Sequence, residues 1–205
     1  MGNTVNYQRE MISVLTKENE DGHIPRILLH ACCAPCASSC IEVLDRFADI
    51  TVFFYNPNIT IKEEYEHRLG EIRRLVGEMP LEHKIRVEEG EYDPDMFFEM
   101  SKGLENEPER GIRCHGCYRM RLEKTAEAAV LGGYDYFMTT LTLSPLKPAQ
   151  IINEIGMEIS QLYLPSDFKK NNGYLRSIEL SRHYGLYRQN YCGCVYSRMQ
   201  SLEKR

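Results

Sequence analysis

Seven of the eight cysteines in this chain fall into three short clusters, Cys32-Cys33-Ala34-Pro35-Cys36, Cys114-His115-Gly116-Cys117 and Cys192-Gly193-Cys194. A C-x-x-C pair closes two thiolates on one metal, because a turn or a helix start brings positions i and i+3 to the same side. One such pair is weak as a signal. Here 77 residues lie between Cys36 and Cys114, and a C-G-C, whose glycine lets the backbone bend sharply, completes the set. One structural zinc takes four ligands and leaves three thiols over. A cubane iron–sulfur cluster also takes about four, and the remaining two or three can hold a second metal with open positions. Soft thiolates suit iron–sulfur clusters and zinc better than magnesium or calcium. Buried structural thiols, or a dithiol redox pair, are the competing reading of the same residues. Cys40 stands apart: one turn beyond Cys36, it shares a helix face with Val43, Leu44 and Phe47 and is expected to pack as a small hydrophobe.

The 205 residues suit a single domain, with residues 1–24 as an N-terminal extension and 165–205 as a basic C-terminal motif. No stretch of about 18 uncharged apolar residues is present to span a bilayer, and the first twenty residues lack the apolar core of a secretory signal. The expected compartment is the reducing cytoplasm, with no membrane partner, where eight cysteines point to metal or redox chemistry rather than to disulfides. The net charge of −5 conceals an asymmetry. Of 25 basic and 30 acidic residues, Lys169 to Arg205 holds eight and two, leaving 17 and 28 elsewhere, so the segment carries +6 against −11 for the remainder. A phosphate backbone would dock there.

Periodicity gives an alternating pattern. Strands are expected at Arg26 to Ala31, Ile50 to Tyr55, Lys84 to Val87, Asp135 to Thr140 and Gln161 to Leu164. Helices are expected at Ser38 to Phe47, Ile61 to Val76, Pro94 to Lys102, Tyr118 to Leu131, Ala149 to Ile155 and Leu175 to Tyr184. Asn56 and Asn58 read as turn formers. The alternation implies an α/β fold with an open, mainly parallel sheet and helices on both faces. Ligands of such sheets bind beyond the carboxyl ends of the strands, where the strand order reverses. Cys32, Cys33 and Cys36 follow the first strand at once. With strand order 3-2-1-4-5, the loop Leu141 to Pro148 faces the same crevice.

The stretches HACCAPC (His30 to Cys36), RCHGCYRMRL (Arg113 to Leu122), TTLTLSPLK (Thr139 to Lys147) and DFKKNNGYLRSIELSRHYGLYRQNYCGC (Asp167 to Cys194) resemble the QueH family of epoxyqueuosine reductases. Ala34, where many relatives carry glycine, is a small departure. The resemblance implies a fold of the HUP, nucleotide-α-hydrolase (PP-loop-like) group, a [4Fe–4S] cluster beside a separate iron ion, and the last step of queuosine synthesis in tRNA. No SGGxDS-type cradle follows the first strand, and no G-x-G-x-x-G follows any strand. ATP, flavin and NAD are therefore not expected, and an external donor, such as a ferredoxin- or flavodoxin-like protein, must supply electrons.

In that light Cys32, Cys33, Cys36, Cys114, Cys117, Cys192 and Cys194 are the candidate metal ligands. Asp167 and Tyr118 are candidate catalytic groups, Tyr118 as a proton donor beside Cys117. Lys169, Lys170, Arg176, Arg188, Gln189 and Tyr191 are candidates to hold tRNA, with tyrosines placed to stack an unpaired base. Arg113 and Arg119 flank the second cysteine pair, where cations offset thiolate charge or contact RNA. Thr139, Thr140, Ser144 and Lys147 occupy the loop expected at the switch point, as substrate-binding candidates. His115 is expected to point away from the metal. Two other functions compete: a zinc-stabilised, non-catalytic RNA-binding module, and an iron–sulfur-dependent tRNA thiolation enzyme, which would need an ATP loop.

Overall fold

Arg26–His30 is apolar at its three central positions, which suits a strand covered on both faces. In the computed structural model, which describes residues 5–203, this run is β1, one of the two inner strands of a four-stranded parallel sheet. The others are β2 (Asp49–Phe54), β3 (Arg86–Glu89) and β4 (Tyr136–Thr139), in the order β3-β2-β1-β4. Leu28 lies opposite Thr51 of β2 and Phe137 of β4. The helices are α1 (Tyr7–Glu20), α2 (Ala34–Leu44), α3 (Lys62–Glu78), α4 (Pro94–Ser101), α5 (Ile112–Gly132), α6 (Ala149–Ile159), α7 (Gly173–His183) and α8 (Val195–Glu203).

Strand alternation sorts the side chains into two cores. Ile27, Leu29, Val52, Phe54 and Met138 pack with α1, α2 and α3, whereas Leu28, Phe53 and Phe137 pack with α5 and α6. A smaller cluster joins Phe97 of α4, Cys117 of α5 and Cys194, with Tyr196 of α8 against it. Cys40 is wholly buried in the α2 side of the first core, as its helical position implies.

The expected order 3-2-1-4 holds, but the fifth strand shrinks to a single parallel bridge between Phe137 and Tyr163. Phe137 N–H donates to Leu162 O at 2.9 Å and Leu164 N–H to Phe137 O at 3.0 Å. The next donor in that register, Ser166 N–H, turns instead to Asn153 Oδ1 at 3.2 Å. Within residues 5–24, α1 buries Met11 and Leu15 completely and is capped by Asn6, whose Oδ1 accepts from Arg9 N–H at 3.1 Å. Helix α5 starts at Ile112, six residues before the expected Tyr118, and so takes Cys114 and Cys117 into its first two turns. It ends as expected, on Gly133 in the left-handed conformation (φ 62°). Helix α8 carries no strong sequence signal and forms against the α4–α5 cluster.

Candidate metal and substrate site

The carboxyl end of β1 delivers Cys32 and Cys33 to the start of α2, with Cys33 at the N-cap, Pro35 in the first turn and Cys36 just inside. A helix N-terminus favours negative charge, so thiolates are stabilised there. Cys114 and Cys117 project from α5, where Cys114 Sγ accepts Arg110 N–H at 3.3 Å. Cys194 Sγ accepts Ser197 N–H at 3.4 Å from the first turn of α8. Cys114, Cys117, Cys192 and Cys194 line one pocket together with Tyr118 and Lys147. Lys147 of that pocket is also acted on by Cys32 and Cys36, at the carboxyl edge of the sheet.

The C-G-C segment is placed by two local features. Gly193 has φ +121°, and a Cβ there would lie 2.8 Å from Ile59 Cγ1; only glycine combines that conformation with so close an approach. Arg68 of α3, fully buried and held by Glu64 at 2.7 Å, donates to Cys192 O at 3.1 Å and to Tyr191 O at 3.4 Å.

Charge is arranged around the thiols. Hydrogen bonds from Cys33 and Cys36 hold the Cys32 thiol well below the ordinary range against the opposing effect of burial, aided by the charges of Arg121 and Lys147. The same bond pushes Cys33 up to about 11 and Cys36 well up. Burial pushes Cys117 up to about 12. For Lys147, burial alone would favour the neutral amine, but the thiols of Cys192, Cys32 and Cys36 and the Tyr118 phenol outweigh it and keep the ammonium. Arg121 of α5, fully enclosed, points its Nη1 at Cys117 Sγ (4.0 Å), its Nη2 at Asn56 Oδ1 (2.6 Å) and its Nε at His30 Nε2 (3.3 Å). Burial, with the charge of Arg121, lowers His30 to about 3, so the imidazole is neutral. His30 Nδ1 lies 2.8 Å from Thr139 Oγ1, and Nε2 lies between Arg121 Nε at 3.3 Å and Tyr55 O at 3.2 Å.

The donor set fits a thiophilic metal in number and softness. Among the described residues, no three His, Cys, Asp or Glu donors already stand grouped as a metal would gather them. Polar atoms left without partners mark the same region. Asn58, 1% exposed, has neither amide atom bonded, and Gln189 and Thr140 each bury an unpartnered oxygen among the described residues. Such groups cost free energy unless something binds them.

The other candidates divide. Tyr118 and Lys147 line the pocket, and Gln189 bonds toward Cys33. Tyr191 lies under the Arg68 guanidinium at 5.3 Å. Thr139 is spent on His30 and on Leu141 N–H, and Ser144 Oγ accepts Leu146 N–H in the following turn. Asp167 pairs with Lys169 at 2.7 Å, whose Nζ also donates to Thr142 O, and neither lines the thiol pocket. Arg176 is tied to Glu42 and Glu179, and Arg188 to Ser177 O and Ser181 Oγ. Arg119 reaches Glu158 of α6 rather than the thiols, because it lies on the outer face of α5. Arg113 is buried instead, donating to the carbonyls of Leu104 and Glu105 and covering the Tyr196 ring at 4.3 Å. His115 does not line the pocket. The expectation that Asn56 only forms a turn is corrected: its N–H₂ donates to Ala31 O at 2.9 Å and its oxygen holds Arg121. Asn58 likewise does more than turn the chain, since it faces the thiols.

The parallel sheet with helices on both faces defines an open α/β fold, with a cluster of thiols after the first strand. A solved structure of an NMN synthetase from Francisella tularensis shares this fold, with a TM-score of 0.52 at 10% identity over 97% of this chain and 84% of that one. The family model described as "Epoxyqueuosine reductase QueH" matches residues 27–200, and the chain belongs to that family of oxidoreductases. The epoxyqueuosine reductase QueH of Staphylococcus epidermidis is 46% identical over 204 residues, 96% of this chain and 86% of that protein. The QueH of Thermotoga maritima is 35% identical over 87% of this chain and 93% of its own length.

Gly193→Ala should displace Cys192 and Cys194 and weaken metal uptake about tenfold, the scale of a disturbed supporting contact. Gly185→Ala is the control, because Gly185 also has positive φ (+57°) but nothing within 4 Å of the added carbon. Metal content after anaerobic loading, beside an unchanged circular dichroism spectrum, checks both.

Proposed function

We propose that this protein reduces epoxyqueuosine to queuosine in tRNA, in the cytoplasm, using a [4Fe–4S] cluster and one additional iron ion held by Cys32, Cys33, Cys36, Cys114, Cys117, Cys192 and Cys194. The observation that carries this reading is the pocket in which Cys114, Cys117, Cys192 and Cys194, from two distant segments, stand with Tyr118 and Lys147, while the thiols of Cys32 and Cys36 from a third segment also act on Lys147. When bound, the iron centres supply single electrons and a Lewis acid for the epoxide oxygen. Overall, two electrons and two protons enter, both epoxide C–O bonds break, an alkene forms and water leaves. An external ferredoxin- or flavodoxin-like donor supplies the electrons.

The chain's own groups deal with protons and position. Burial raises the Tyr118 phenol, so it keeps its proton at Oη until a developing alkoxide, a stronger base, takes it. Lys147 Nζ brings a second proton source and a fixed positive charge to the same pocket. The unbonded Asn58 amide offers one donor face and one acceptor to a hydroxylated ring. Phe97 and Leu146 in the pocket wall exclude water.

The test is an anaerobic assay on tRNA carrying epoxyqueuosine, with mass spectrometry of the digested nucleosides to register loss of one oxygen. Serine at any one of the seven clustered cysteines should abolish turnover, while Cys40→Ser, in the apolar core, keeps it. A colourless protein with stoichiometric zinc and wild-type turnover would sink the proposal.

The tRNA reading divides the basic segment. Arg176, Arg188 and Lys169 are tied to neighbouring groups of the fold, whereas Lys170, Arg182 and Arg198 are exposed and form no ion pair among the described residues. Each phosphate neutralised releases counterions, so the affinity falls steeply with salt. Lys170→Glu with Arg198→Glu should weaken tRNA binding and reduce the salt slope by roughly two, with iron content unchanged. Titrations at several salt concentrations decide it, and an unchanged slope leaves these residues as a solvated face.

A further inference from the structure

Arg68 and Arg121 head the fully buried side chains by volume, but their surroundings differ. Arg68 has the Glu64 carboxylate at 2.7 Å. Arg121 has no carboxylate at ion-pair distance among the described residues. Its fork is braced by groups that carry no charge: the Asn56 amide oxygen at 2.6 Å and the His30 ring nitrogen at 3.3 Å. Cys117 Sγ stands at 4.0 Å, and the charges that act on the guanidinium are those of Cys117, Cys32 and Cys192, one thiol from each of the three clusters.

A guanidinium does not lose its proton in a protein, and an ion taken out of water needs a counter-charge. An aspartate at position 56 would meet the fork with the same geometry and neutralise it. The amide found there leaves the positive charge directed at the thiols. The neighbouring arginines do not duplicate this: Arg119 is neutralised by Glu158, and Arg113 spends its donors on the carbonyls of Leu104 and Glu105.

We infer that Arg121 is the built-in counter-ion of the thiolate-held metal site, a positioning residue braced by neutral partners so that its charge eases electron uptake by the bound iron. This rests on the reading that the seven thiols hold iron. Adding an electron to a centre already negative with thiolates is opposed by their repulsion, and a fixed cation in a low-dielectric surrounding reduces that opposition. Holding the cation rigidly means that little reorganisation accompanies each electron.

The test compares the anaerobically loaded full chain with Asn56→Asp, Arg121→Gln and Arg121→Lys, reading iron content and the midpoint potential of the cluster by spectroelectrochemistry. Asn56→Asp and Arg121→Gln should each shift the one-electron equilibrium at least tenfold toward the oxidised form, about 59 mV more negative. Arg121→Lys, which keeps the charge, should stay within half of that shift. If Arg121→Gln fails to fold, Asn56→Asp carries the test, because its carboxylate still accepts from the Arg121 fork. Wild-type potential in an iron-replete Asn56→Asp protein overturns the inference, as does a lysine variant shifted as far as the glutamine one. A wild-type protein that takes up no iron overturns instead the reading of the site, and the inference falls with it.

Discussion

Strand β1 is hydrogen-bonded along both edges, to β2 and to β4, and the three strands finish at the same level. Their ends are then tied together by side chains. His30 of β1 bonds Thr139 of β4 at 2.8 Å, and Asn56, two residues past β2, bonds Ala31 O at 2.9 Å. This knot of buried polar contacts fixes the start of α2 and with it Cys32, Cys33 and Cys36. Arg121 completes it by reaching from α5 into both His30 and Asn56. Removing one member would leave the others buried and unpaired, which is costlier than never having buried them.

The remaining thiols are brought to this edge by different means. Cys114 and Cys117 ride on α5, which is anchored in the second core by Leu122, Ala126 and Ala129. Cys192 and Cys194 lie on an irregular segment with no strand or helix to hold them, and there Arg68 and the bare backbone of Gly193 take over. So many thiols in a buried place repel one another once ionised. Arg121 and Lys147 offset that repulsion from different elements, one from a helix and one from the loop after β4.

The sheet was legible in the sequence because parallel strands buried on both faces are short apolar runs, and those of β1, β2 and β4 are unmistakable. The last expected strand, Gln161 to Leu164, came out shorter, because the next donor in its ladder, Ser166 N–H, goes to Asn153 Oδ1 instead. The metal-ligand candidates were legible from cysteine spacing alone. Arg121 was missed for a local reason: with α5 begun at Tyr118, its relation to the cysteines was hidden. Begun at Ile112, the helix puts Cys114, Cys117 and Arg121 at intervals of three and four, on one face. The polar residues at strand ends gave a weaker signal, because an asparagine after a strand reads as a turn whether or not its side chain is buried. Charge counting was the least dependable guide, for Lys169, Arg176, Arg188, Arg113 and Arg119 are all spent on nearby carboxylates and carbonyls.

The central claim is that seven thiols make two iron environments, a cluster and a lone ion open toward substrate. Mössbauer spectroscopy of fully active protein enriched in the absorbing iron isotope tests it most directly. Two components are expected, the smaller vanishing first under a mild chelator together with epoxide reduction, while the cluster component and the brown colour persist. A spectrum of cluster iron alone, in a sample of full activity, would contradict it.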